Sequence, residues 1–191
     1  MRRTWDEWVH FFIVCSLIGW HYEVAIMYVE MHQGFVNRGF LYGPWLPIYG
    51  VGGTMILLLF GKLRTKKLLI GKISFTPLAC FLLICLMTTA LELGSSYLIE
   101  LFTGHTLWDY RGTGYGPTFE GRIALRASLQ FGLIGMTILY LIEPAVRKMI
   151  AVAKKKCRIV YWSLSALIMG LFLFDLGYHL ICGSNAVRLP E

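Results

Sequence analysis

Four ionisable residues lie inside or at the edges of long apolar stretches, and they are the first candidates for chemistry in this sequence. They are Glu23, Glu92, Arg126 and Asp175. A charged side chain is costly inside a bilayer, and where one occurs it commonly marks a binding site or an ion path. Pairing a buried carboxylate with arginine keeps both groups charged and hydrogen-bonded. We therefore predict a polar site in which Arg126 neutralises Glu23, Glu92 or both.

Two irregular segments carry further polar and aromatic side chains close to these acids. Segment 34–50 contains four glycines, two prolines and five aromatic residues, a composition that excludes a long regular helix. It presents Asn37 and Arg38 between flexible positions, and an anchoring aromatic belt is the alternative reading. The second segment presents Trp108 and Asp109.

Other residues of the same outer region are secondary candidates. On predicted helical faces, Asp175 and His179 stand four residues apart, where a local pair that satisfies itself is the alternative. The full secondary set is Trp20, Glu100, Arg122, Asp175 and His179.

Five apolar stretches must position these side chains. They cover about 8–30, 45–61, 75–101, 123–142 and 159–182 of the 191 residues, in a chain that is 57% hydrophobic. A bilayer core about 30 Å thick needs about 20 helical residues, and the backbone there must satisfy its own hydrogen bonds. The predicted fold is an all-α integral membrane protein with one domain over residues 1–191. It is a bundle of five transmembrane helices with an irregular outer loop between helices 1 and 2 that dips into the membrane interface.

The basic residues predict which side each loop faces. Thirteen of the 18 lie in alternate loops, namely Arg2, Arg3, Lys62, Arg64, Lys66, Lys67, Lys72, Arg147, Lys148, Lys154, Lys155, Lys156 and Arg158. The positive-inside rule makes these loops cytoplasmic, with the N-terminus inside and the C-terminus outside. The net charge of +7 is then a topology signal that contacts anionic lipid, and no nucleic-acid partner is predicted.

Topology and depth together place the predicted site. Helices 1 and 3 run outward, so Glu23 and Glu92 lie past their midpoints, and Arg126 lies near the outer end of helix 4. The prediction is an outward-facing polar cavity lined by these three residues and roofed by segments 37–44 and 108–111. An ion-pair network that only holds the helices together is the alternative.

Other chemistries have weaker support in the sequence. No Gly-x-x-x-x-Gly-Lys-Ser/Thr loop occurs, so the chain does not hydrolyse ATP by that route. Haem would require paired histidines at matched depth, for which His21 and His179 are the candidates, and no His/Cys set has zinc-ligand spacing. Two glutamates and a histidine leave an intramembrane hydrolase open, without a recognisable nucleophile. We predict no catalytic residue, no metal and no cofactor.

Longer motifs carry a resemblance to a known family. They are Gly19-Trp20-x-x-Glu23, Val36-Asn37-Arg38-Gly39-Phe40-Leu41-x-Gly43-Pro44-x-x-Pro47-Ile48-Tyr49-Gly50, Leu91-Glu92, Glu100-Leu101-Phe102, Trp108-Asp109-Tyr110 and Gly121-Arg122-Ile123-x-Leu125-x-x-Ser128. Over about residues 11–145 the chain resembles the bacterial family labelled putative ABC-transporter type IV, or CmpB-like. The resemblance implies a permease subunit in the bacterial plasma membrane that works with a separate ATPase.

Three function classes follow from these observations. The first is a multi-pass transporter subunit that binds a small solute or lipid headgroup from the outer side. The second is a membrane scaffold or assembly factor held together by the same ion pairs, and the third is an intramembrane enzyme. Besides the lipid bilayer, a separate ATPase and a second copy of the chain are the partners considered.

Overall fold

The computed structural model describes residues 3–29, 32, 34–37, 39, 41–70, 73–106 and 108–182. Helices account for 75% of the residues that the structure describes, which confirms the all-α class. The helices are α1 (Trp5–Val29), α2 (Pro47–Phe60), α3 (Thr76–Thr103), α4 (Leu125–Thr137), α5 (Glu143–Lys156) and α6 (Arg158–Cys182). Two antiparallel hairpins, β1 (Leu69–Ile70) with β2 (Ile73–Ser74) and β3 (Thr118–Phe119) with β4 (Ile123–Ala124), lie in the connections and were not predicted.

Four helical stretches in the described part of the chain are long and apolar enough to cross a membrane. They are Trp5–Val29, Thr76–Thr103, Leu125–Lys156 and Arg158–Ile181. Helix α2 is apolar but has only 14 residues, which is about 21 Å of helix against a hydrocarbon core of about 30 Å. The predicted stretch 45–61 is therefore a shorter element than a full span.

The helical stretch that contains the fourth predicted span, 123–142, does not end at residue 142. Helix α4 passes through a π turn, Ile138–Ile142, directly into α5, so one helical stretch runs on to Lys156. Pro144 lies in the first turn of α5. A proline ring inside an α-helix clashes with the carbonyl four residues earlier, and the wider π turn relieves that clash. Residues 145–158 are consequently helical, apart from Cys157.

The chain divides into two packed units. The first unit comprises Met1–Met55 and Ile142–Glu191, and the second comprises Ile56–Leu141. In the first unit, Ile13 of α1 and Phe172 of α6 form a buried cluster with Leu41 and Trp45. A second cluster joins residues of α5 and α6, namely Val146, Ile150 and Tyr161.

Polar contacts join the N-terminal end of α1 to α5 and α6 in the first unit. Asp6 accepts hydrogen bonds from Lys154 Nζ at 2.5 Å and from the Tyr161 hydroxyl at 2.7 Å. Arg3 forms an ion pair with Glu143 of α5, also at 2.5 Å. Acidic residues in the first turn of a helix are also favoured by the helix dipole.

The residues before α2 pack inside the first unit. Trp45 and Leu46 are buried, and the Leu46 amide donates to the Ser16 carbonyl of α1 at 3.0 Å. Gly50 allows this approach, because a Cβ at that position would overlap Ser16 Oγ. Segment 41–46 is therefore a folded part of the helix packing, and an exposed loop would not make these contacts.

Close approach of α3 and α4 holds the second unit together. Gly132 lies directly against Cys85 and Phe81, where a Cβ would overlap both side chains. Thr89 donates a hydrogen bond to Ser128 across the same interface at 2.7 Å. Small residues that bring backbones close, with a hydroxyl bond between helices, are the common means of packing helices in a membrane.

Candidate functional site

The loop that joins α3 to α4 in the second unit is folded by its own hydrogen bonds. The Tyr110 amide donates to the Gly121 carbonyl at 2.8 Å, and Trp108 Nε1 donates to the Arg122 carbonyl at 2.9 Å. Helix α3 ends at Gly104, whose positive φ of 77° closes the last turn. The predicted roof residue Trp108 therefore joins the start of the loop to its end.

Arg122 anchors this loop to α3. Its guanidinium donates to Glu100 Oε2 at 2.5 Å and to Ser96 Oγ at 3.0 Å. It also lies 4.3 Å from the centre of the Tyr97 ring, a cation–π arrangement. The hydrogen bond to Glu100 raises the pKa of the Arg122 guanidinium, so the residue stays charged. Two secondary candidates, Glu100 and Arg122, are thus brought together as an ion pair.

Glu92 is the acid of α3 that faces this loop. Its Oε1 accepts a hydrogen bond from the Tyr110 hydroxyl at 2.6 Å. Its Oε2 is buried and has no hydrogen-bond partner within the part of the chain that the structure describes. Most buried polar atoms in proteins are hydrogen-bonded, and an unsatisfied one is costly. The second oxygen of Glu92 is therefore open to a hydrogen-bond partner.

Arg126, in the first turn of α4, lies beside the same loop. Its guanidinium carbon is 4.8 Å from the centre of the Tyr115 ring, and its amide donates to the Tyr115 carbonyl at 3.3 Å. The Tyr115 ring is in turn 5.5 Å from the ring of Tyr110. Two tyrosines thus lie between the arginine and the Glu92 carboxylate.

Asp109 pairs with its neighbour Arg111 at the surface of the loop. Its Oδ1 accepts the Arg111 amide at 2.8 Å, and its Oδ2 accepts the guanidinium at 2.5 Å. The Arg111 guanidinium holds the pKa of this carboxyl below its usual range. The stability that the pair adds is present above the ordinary aspartate pKa and is lost as the pH falls through the lowered one. Asp109 organises the loop backbone.

In the first unit, Glu23 and Trp20 each have a partner. The Tyr49 hydroxyl donates to Glu23 Oε1 at 2.5 Å. Trp20 Nε1 donates to Asn37 Oδ1 at 2.6 Å, and the amide group of Asn37 donates to the Tyr42 carbonyl at 3.0 Å. The site candidates Trp20 and Asn37 are therefore in direct contact.

Asp175 of α6 holds the segment before α2. Its two carboxylate oxygens accept the backbone amides of Tyr42, at 3.0 Å, and Gly43, at 2.8 Å. The side chain is buried. The predicted alternative, a self-contained local pair with His179, does not describe these hydrogen bonds, because they go to backbone 132 and 133 residues away.

Comparison with known families gives one match. The profile described as putative ABC-transporter type IV matches residues 10–180. This chain belongs to the putative ABC-transporter type IV family. The family and the apolar helices together indicate a transporter-like membrane protein. No curated protein and no solved structure gives a significant match.

For this member of the type IV family, several predicted site features stay predictions. Arg38 lies outside the described residues. The joint cavity of Glu23, Glu92 and Arg126 stays a prediction, as do the pairing of Arg126 with either acid and the single domain. Among the described residues, no group of three or more His, Cys, Asp or Glu side chains could hold a metal ion.

Sequence reasoning missed the tyrosines that hold the acids of this type IV family member. Tyr49 and Tyr110 donate to Glu23 and Glu92, yet neither was a site candidate. Both lie within the motifs that carry the family resemblance, Tyr49 in the first turn of α2 and Tyr110 in the loop between α3 and α4. A buried tyrosine hydroxyl requires a hydrogen-bond partner, and a nearby buried acid is the natural acceptor. That requirement was the available signal.

Proposed function

We propose that this protein is the membrane-embedded, permease-type subunit of a bacterial plasma-membrane transporter, with an outward-facing polar site for a small solute or lipid headgroup. The observation that carries the proposal is the buried Oε2 atom of Glu92, whose other carboxylate oxygen accepts from Tyr110 of the folded loop. A membrane protein retains such an atom at a cost, and a bound ligand is one reason to retain it.

Three other acids of the candidate set accept hydrogen bonds, and none of the three has a buried oxygen without a partner among the described residues. Glu100 accepts from Arg122, Asp109 accepts from Arg111, and Asp175 accepts from two backbone amides. These groups have a structural task, while Glu92 is held by Tyr110 with one oxygen left over. Glu92 is therefore the acid on which the binding hypothesis rests.

The chemistry of this oxygen selects a class of ligand. A carboxylate oxygen accepts hydrogen bonds, so the complementary group is an ammonium or another N–H or O–H donor. The neighbouring rings of Tyr110 and Tyr115 also favour a cation. We therefore propose an amine-bearing solute or headgroup.

We further propose five membrane crossings, with α2 as the return from the outer side. A basic loop at 62–72 on the cytoplasmic side requires α2 to complete a crossing. The amide of Leu46 bonds to Ser16, which lies about 17 Å along α1 from Trp5, near mid-membrane depth. Segment 41–46 would then be re-entrant, and the short α2 would need to cover only part of the bilayer.

Labelling of introduced cysteines tests this topology. In a cysteine-free background, a cysteine at residue 66 or 155 should react only with reagent supplied from the cytoplasmic side, and one at residue 112 only from the outside. The expectation rests on the basic loops at 62–72 and 147–158. Cytoplasmic labelling of residue 112 would contradict the proposed outward-facing site.

A separate ATPase is the proposed energy source, and α5 is the proposed contact for it. One face of this helix is buried, with Val146 and Ile150, while Arg147 and Lys148 are exposed on the other. The helix follows α4 in one continuous helical stretch, Leu125–Lys156, so α5 is joined in sequence to a predicted membrane span.

A thermal-shift screen with Glu92→Gln tests the binding site. The screen covers inorganic ions, amino acids, nucleosides and lipid headgroups, and we expect amine-bearing compounds to stabilise the wild type. A ligand at 100 times its Kd would raise the Tm by roughly 5–10 °C. Glu92→Gln keeps the acceptor for Tyr110 but replaces Oε2 with a donor, so it should abolish the shift. The same change at Glu7, at the start of α1, should leave the shift intact.

The scaffold function is the alternative, favoured by the ion pairs Arg122–Glu100, Arg3–Glu143 and Lys154–Asp6. It forecasts that no ligand shifts the wild type and that Glu23→Gln melts early through loss of helix packing. A full ligand shift in Glu92→Gln would also remove the binding proposal, because the site would then lie elsewhere.

A further inference from the structure

A groove of about 380 Å³ opens on the first unit between segment 42–45 and α6. Leu171, Phe174 and Tyr178 of α6 form one wall, and Gly43 and Trp45 form the other. The α6 side chains of this groove are exposed, Phe174 to 73% of its surface. Within a helix of membrane-spanning length, such exposed apolar side chains contact lipid.

Trp45 gives the groove an unused hydrogen-bond donor. Its side chain is only 8% exposed, and Nε1 has no hydrogen-bond partner within the described part of the chain. Nε1 lies directly against Gly43, where it occupies the space that a Cβ would take. Buried indole N–H groups usually donate a hydrogen bond to an acceptor, and the absence of that hydrogen bond costs free energy. The groove is thus an apolar channel lined in part by Trp45, whose buried N–H has no partner among the described residues.

The position of the groove along α6 indicates which part of a lipid molecule lies at the same depth in a membrane. Asp175, which lines the groove, is 17 residues beyond Arg158, or about 26 Å along the helix. In a hydrocarbon core about 30 Å thick, this level is the outer edge of the acyl chains. The ester carbonyls of a diacyl lipid lie at that boundary, and a carbonyl oxygen is an acceptor for an indole N–H.

We propose that this groove binds one diacyl glycerolipid of the outer leaflet, with an acyl chain against Leu171 and Phe174 and an ester carbonyl accepting the hydrogen bond of Trp45 Nε1. The site is separate from the Glu92 site, and only its assignment to the outer leaflet rests on the topology proposed above. Asp175 accepts the amides of Tyr42 and Gly43, and the structure forms no hydrogen bond between it and Trp45 Nε1.

The test compares two lipids that differ only in the acceptor. The full-length protein, delipidated in detergent, receives an equimolar mixture of diester and diether phosphatidylglycerol with equal chain lengths and the same headgroup. Native mass spectrometry then measures which lipid is retained in the one-lipid complex. One hydrogen bond to a buried donor predicts about a five-fold preference for the diester in the wild type.

Two substitutions, each with a matched control, test the hydrogen bond and the groove separately. Trp45→Phe keeps an aromatic ring but removes the N–H, so the diester and diether should bind equally. The matched control Trp5→Phe, at an exposed tryptophan, should keep the five-fold preference. Leu171→Trp fills the groove and should reduce retention of both lipids several-fold, while Leu164→Trp, the same change elsewhere on α6, should not.

Several results would overturn the proposal. They are equal binding of the two lipids by the wild type, an undiminished diester preference in Trp45→Phe, and unchanged lipid retention in Leu171→Trp. Because the Leu171→Trp arm does not depend on Trp45, a Trp45→Phe variant that fails to fold still leaves a decisive measurement. Glu92→Gln should keep the diester preference, so failure of the proposed solute site would not affect this result.

Discussion

Replacing Asp175 with alanine is expected to lower the free energy of unfolding by on the order of 3 kcal/mol, because it leaves two backbone amides without an acceptor. The carboxylate is only 9% exposed, and it accepts the amides of Tyr42 and Gly43. Water does not reach such donors easily. In a thermal melt, a protein of this size should lose roughly 6–12 °C in Tm.

Two further variants, Asp175→Asn and Asp109→Ala, separate the effect of lost hydrogen bonds from the effect of lost charge. Asp175→Asn keeps one carbonyl oxygen, so it should satisfy one amide and lose about half as much stability. Asp109→Ala removes an acid whose partner Arg111 is exposed, and it should change the Tm little. If Asp175→Ala melts with the wild type, then Asp175 does not hold segment 42–43 and the shape of the lipid groove is also in question.

The sequence predicted the membrane helices well where the hydropathy pattern alone decides them. The stretch predicted at 75–101 is the helix Thr76–Thr103, with Pro77 in its first turn and Gly104 at its end. Proline and glycine at these positions are local signals that a sequence carries openly. At α5 the local signal points the other way, because a proline such as Pro144 ordinarily interrupts a helix. Only the π turn before it, a feature of backbone geometry, lets the helix continue.

The sequence indicated which residues belong to the candidate site, but it did not indicate which residues pair with each other. The charges of Glu92, Glu100, Arg122 and Asp175 were visible because charge is rare in apolar stretches. Their partners were not, since Arg122 reaches Glu100 from 22 residues away, and Asp175 bonds to backbone rather than to a side chain. Hydropathy and helical spacing report which face a residue is on, while these contacts depend on how an irregular loop folds.

Replacing Gly121 with alanine should disrupt the folded loop over Glu92. Gly121 has a positive φ of 72°, a region that disfavours residues with a Cβ. An added Cβ would also overlap Asp109 Oδ1 and come close to Arg111 Nε. Backbone strain and steric overlap together should lower the free energy of unfolding by about 3 kcal/mol.

Gly114→Ala is the matched control for Gly121→Ala. Gly114 has nearly the same φ, 74°, but nothing lies within 4 Å of the position that a Cβ would take. Both variants carry the backbone strain of about 1 kcal/mol or more, and only Gly121→Ala also displaces Asp109. The difference in Tm between the two therefore measures the packing of the loop on Gly121.

Hydrogen exchange connects this packing to the binding site. The Tyr110 amide bonds to the Gly121 carbonyl, and the Tyr110 hydroxyl bonds to Glu92. If the loop positions Tyr110, then Gly121→Ala should speed exchange of the Tyr110 amide by tenfold or more, about 1.4 kcal/mol of lost protection, and should weaken ligand stabilisation. Gly114→Ala should do neither. Equal exchange in both variants would mean that Gly121 does not position Tyr110, and that Glu92 is held without help from the loop.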